Sequence, residues 1–78
     1  MIMDYLISTT IDSQDYCVKS NVDERKFELI PINFPSDVNK AFNAPFQSIA
    51  LNILSWIKNN DPSLSQFEFT IQPAAKYR

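Results

Sequence analysis

Nine carboxylates, seven cationic side chains, one thiol and no imidazole make up the reactive inventory of this chain. Histidine is the side chain that most often moves protons or holds metals near neutral pH. Its absence removes the commonest general base and ligand. Paired carboxylates could still serve as acid and base, but only if two are held in a cleft with separated pKa values. Here Asp12, Asp15, Asp23, Glu24 and Asp61 fall in polar, turn-forming stretches, while Glu28 and Glu68 alternate with apolar residues as the wet side of a strand would. Cys17 has no histidine to activate it and no second cysteine to bridge, so a half-buried packing role is expected. The chain contains no glycine, which excludes glycine-rich phosphate loops and the nucleophile elbow of serine hydrolases. The expectation is a protein that is not an enzyme and uses no cofactor or metal.

The remaining chemistry is that of surfaces. A net charge of −2 and a pI near 4.8 argue against direct nucleic-acid binding, which rests on neutralising phosphates. Lys19, Arg25, Lys26, Lys40 and Lys58 are scattered, so no basic stripe accompanies the aromatic residues. No segment approaches the run of about 20 apolar residues that spans a membrane. With one cysteine and no basic, signal-like start, a reducing cytoplasmic setting is expected. A mildly acidic surface suits a protein partner, particularly one with a basic nucleic-acid-binding channel.

The elements that position these groups follow from periodicity. Phe46, Ile49, Ala50, Ile53, Leu54 and Ile57 recur at helical spacing and predict one long helix, capped by Asn43, with Pro45 in its first turn and a stop at Asn59–Pro62. Asp4–Ile11, Tyr16–Ser20, Lys26–Phe34 and Phe67–Gln72 read as strands, the last one alternating cleanly. In the third, the apolar parity shifts from Phe27 and Leu29 to Ile30, Ile32 and Phe34 beside Pro31, as at a bulge or an edge. Ser36 could open a short helical turn bearing Val38 and Phe42. Ala74–Arg78 reads as a frayed tail. The fold class expected is a small single α+β domain over residues 1–78. Its order is β-β-β-α-β, with a mainly antiparallel sheet of order 4-1-2-3, the helix on one face, and a last strand parallel to the first and third.

The β-β-β-α order resembles partial ribonuclease-H-like and double-stranded-RNA-binding-like layouts, including small HicB-type antitoxins. The glycine-bearing strand motif of those antitoxins has no counterpart here. The functional expectation is a non-catalytic protein-binding inhibitor that occupies a partner's surface. By analogy of size and charge, it could be a phage or mobile-element protein of the anti-CRISPR type that blocks nucleic-acid machinery. The candidate interface comprises Asp23, Glu24, Ile30, Ile32, Phe34, Asp37, Phe42 and Trp56. Two further readings are a structural or assembly subunit that self-associates, as a homodimer through the third strand and connector, and an antitoxin-like regulator. Ile30, Ile32 and Phe34 discriminate among them: either the connector folds over them or they form an open apolar patch.

Overall fold

The computed structural model describes residues 4–21 and 23–77. Val22, in the second expected turn, and Arg78, at the end of the expected tail, lie outside them. Four strands, β1 (Tyr5–Ile11), β2 (Gln14–Asn21), β3 (Lys26–Pro31) and β4 (Thr70–Pro73), form one sheet of order β3-β2-β1-β4. Helix α1 spans Gln47–Asn60 and the one-turn helix α2 spans Pro62–Ser65. This is the α+β class and strand order expected. All three strand pairings, however, are antiparallel, β4 to β1 included.

The connector accounts for that difference in direction. After β3 the chain forms a 3-10 helix (Pro35–Lys40) and then runs back to the start of β1 before α1 begins. Phe42 donates its N–H to the Val18 carbonyl at 2.9 Å, and Tyr5 and Ala44 exchange two hydrogen bonds of 2.8 Å. The connector thus makes the return pass. Helix α1 makes the next one, and β4 enters opposed to β1. The Val18 carbonyl and the Tyr5 main chain both face the space between β1 and β2. Residues 42–44 therefore lie in the sheet plane where those two strands part.

The chain changes faces at this passage. Before it, Val38 packs with Leu6, Cys17 and Ala74 on one side of the sheet; after it, Phe42 and Ala44 pack with Ile7, Val18 and α1 on the other. Both faces are covered, which resolves the parity of β3. Its register with β2 runs unbroken from Lys26–Asn21 to Pro31–Tyr16, without a bulge. Leu29 belongs to the α1 side and Ile30 to the connector side. Residues Ala74–Tyr77 form a 3-10 helix with Ala74 buried, where fraying was expected, and this helix closes the second face. Pro31 ends β3 at the sheet edge, as its missing N–H predicts.

Local chemistry explains the element ends. Asp12 and Ser13 adopt φ of 52° and 68°, giving a two-residue hairpin turn without glycine, and Arg25 does the same at 53° in the second turn. The αL conformation of Asp12 was foreseeable; that of Ser13 and Arg25 was not, because neither is a usual αL residue. Asn43 is not the cap of α1. Its side-chain amide donates to the Val38 and Ala41 carbonyls, and the extended Phe46 occupies the cap position with no side-chain bond. Because Phe46 lies outside the helix, the periodicity count does not apply to it, and it is 65% exposed. Ala50, Leu54 and Ile57 are the buried face; Ile53 is half-buried and Ile49 lies at the exposed margin.

Leu6 and Ile7 are neighbours in sequence, point to opposite faces, and are both fully buried. Leu6→Ala and Ile7→Ala should each cost about 2–5 kcal/mol in chemical denaturation. A sheet covered on one face would lose that much at only one of the two.

Candidate functional site

Of the eight residues expected to form one interface, Phe42 stands apart and the other seven are divided among three environments. Ile30 and Ile32 are half-buried beneath the connector and pack with the Val38 cluster, so they are not an open patch. Phe42 has crossed to the other face, where its ring meets Phe27 edge-on at 6.4 Å. Of the two readings offered by the parity of β3, the covered one holds for Ile30 and Ile32, through Val38 and without Phe42, while Phe34 stays open.

Phe34 and Asp37 form the second environment. Phe34 is 68% exposed, the most open of the large hydrophobic side chains among the described residues. Its backbone is extended, and the 3-10 helix begins at the proline that follows. One carboxylate oxygen of Asp37 accepts from the backbone N–H groups of Asn33 at 2.9 Å and Phe34 at 3.0 Å. The other oxygen lies 3.6 Å from the Lys40 ammonium. These two N–H donors, with Lys40 beside them, hold the Asp37 carboxyl below the ordinary aspartate range. The result is an aromatic ring held outside the core on a turn pinned from within. Sequence reasoning could have found this pin: an aspartate three residues after the cap position is well placed to accept its N–H.

Asp23, Glu24 and Trp56 form the third environment, at the other end of β3. Trp56 is 47% exposed, and its ring meets Phe27 edge-on at 5.7 Å. Next to Phe27, the Lys26 ammonium lies 2.7 Å from Glu24 and 3.8 Å from Glu28. Glu24, through its hydrogen bond and charge, raises the Lys26 pKa, and Glu28 and Asp61 add to it. Asp61 caps α2, accepting from Ser63 N–H at 3.1 Å and Leu64 N–H at 3.2 Å. The end of α1, the Asp23–Arg25 turn and the start of β3 therefore meet at one corner, where acidic side chains edge the Phe27–Trp56 pair and Lys26 and Glu28 alternate to the other side of the sheet. The alternation of Phe27 with Lys26 and Glu28 gives no sign that it is only half-buried and meets Trp56.

Other groups that could do chemistry are dispersed. An open depression of about 480 Å³ is lined by Lys58, Ser65, Gln66, Phe67, Glu68 and Phe69. Among the described residues, no three His, Cys, Asp or Glu side chains are grouped to hold a metal, and no helix is long and apolar enough to cross a membrane. Comparison with protein-family models, with curated proteins and with solved structures finds no match to this chain.

Cys17 is fully buried, beyond the half-burial expected. Burial pushes its thiol up from 9.0 to about 11, and the Asp37 carboxylate adds to the shift. The unfolded chain releases this proton near the ordinary value while the folded chain keeps it, so the contribution is complete below that value and lost as pH rises toward about 11. Denaturation midpoints of the wild type and Cys17→Ala should keep a constant separation at neutral pH and converge through that alkaline window. A separation unchanged with pH would contradict the burial of the thiol.

Proposed function

We propose that this chain is a non-catalytic protein-binding domain that acts by occupying a partner's surface. The observation that carries this reading is the presentation of Phe34: an aromatic side chain held outside the core by a turn whose backbone is tied to Asp37. Interface hot spots are enriched in large aromatic anchors, and a pinned anchor loses less conformational entropy on docking. The second acidic and aromatic corner, with Asp23, Glu24 and Trp56, offers charge to steer a basic partner. A basic nucleic-acid-binding channel is the partner surface this charge fits. An inhibitor of nucleic-acid machinery, of the phage or anti-CRISPR type, is the specific form proposed.

Capture of a partner by the tagged protein from cells of its source, with and without nuclease, followed by binding kinetics on the purified pair, tests this reading. Phe34→Ala should weaken the complex roughly thirtyfold, as expected of a hot spot worth about 2 kcal/mol. The paired change Asp23→Lys and Glu24→Lys should chiefly slow association at low salt. Capture that disappears with nuclease, or a complex indifferent to Phe34, would remove the proposal.

A further inference from the structure

Strand β3 is an edge of the sheet, and its outer side is unusually self-complementary. Ile32 donates its N–H to the Asp15 carbonyl, and β2 and β3 pair without a break, so the main-chain groups of Glu28 and Ile30 turn inward. Those of Phe27 and Leu29 turn outward. Lys26 and Glu28, of opposite charge, precede and follow Phe27 and share the parity of Ile30, which places them on the connector side of the sheet. On the other side, Phe27 lies against Trp56. Ile49, Ile53 and Trp56 recur at i, i+4 and i+7 along α1, a flank next to its buried face, and Ile49 and Trp56 are exposed.

We infer that the occupant of this edge is a second copy of the same chain, added antiparallel through β3 with Phe27 opposite Phe27. In that register the two Phe27 residues exchange main-chain hydrogen bonds. Lys26 of each copy faces Glu28 of the other across a non-hydrogen-bonded pair, where side chains come closest. The Lys26 ammonium, already 2.7 Å from its own Glu24, then stands between two carboxylates from different chains. On the opposite face the two Phe27–Trp56 pairs adjoin, and the exposed flanks of the two α1 helices face each other across the two-fold axis. The competing register, centred on Leu29, would set Lys26 against Ile32 and Glu28 against Ile30, so that neither charge meets its opposite. It would also set Phe27 against Pro31, which has no N–H to give. The inference rests on β3 and α1 and does not depend on the role proposed for Phe34. It leaves both Phe34 turns at the far ends of the joined strands.

Charge exchange tests the register directly. Lys26→Glu makes both positions acidic and Glu28→Lys makes both basic, at side chains exposed enough to leave folding intact. Sedimentation equilibrium from micromolar to millimolar concentration should show a wild-type dimer and each variant alone weakened roughly tenfold or more. An equimolar mixture of the two variants should regain the dimer, because every facing pair is again of opposite charge. In a second measurement, mixing Lys26→Cys with Glu28→Cys chains under oxidation should yield a cross-link that neither forms alone. A wild type that stays monomeric throughout, variants that dimerise as well as the wild type, or a Glu28→Cys chain that links to itself would each overturn the inference.

Discussion

The insertion of residues 42–44 between β1 and β2 is the constraint on which the rest of the molecule depends. It rests on three main-chain hydrogen bonds, one from Phe42 to Val18 and two between Tyr5 and Ala44. Through them the connector lets a single 3-10 helix cover one face and a long helix cover the other. For 78 residues this is an economical solution, because a small chain can cover little of its own surface. Two short apolar clusters, one on each side of the sheet, take the place of one deep core. Leu6 and Ile7 show the result most directly, since no residue of β1 between Leu6 and Thr9 is left to water.

The parts of the fold legible in the sequence were those with a local cause. Helix α1 was readable because Ala50, Leu54 and Ile57 repeat at its period, and its end was readable because Asn60, Asp61 and Pro62 stop it. The strand order was readable because Pro31 marks β3 as an edge. The passage through the sheet was not, since no residue type at 42–44 announces a hydrogen bond to a strand far away in sequence. The direction of β4 depends on that passage, so it was lost with it. The parity of β3 was a true signal read against the wrong expectation: both parities are apolar because both faces are covered, and no bulge is involved.

The same reasoning explains the division of the candidate surface. Residue type alone placed Ile30, Ile32, Phe34 and Phe42 together, but their burial depends on where the connector crosses. Once it does, Ile30 and Ile32 become part of the packing and Phe34 is left outside it. Trp56 keeps about half its surface because α1 buries the neighbouring stripe against the sheet, and Phe27 is the aromatic ring that reaches it. The charged groups around these two aromatics differ in how firmly they are held. Asp37 is tied to main chain, whereas Glu24 and Lys26 pair in the open, where such ion pairs contribute little to stability and remain available to other partners.

The place of β1 has a consequence for how the chain can be made. This strand is synthesised before the rest of the sheet, yet two neighbours of its opening residues, Ala44 and Pro73, are synthesised much later. The β1–β2–β3 meander has only local pairings and can close early. The first residues of β1 must then wait, with Leu6 and Ile7 uncovered, until the connector has entered beside them and β4 has followed. During vectorial synthesis the nascent chain thus carries an open strand edge until β4 emerges, a state that invites contact with chaperones or with neighbouring nascent copies. Closure of the sheet belongs to β4, the last of its four strands to be made.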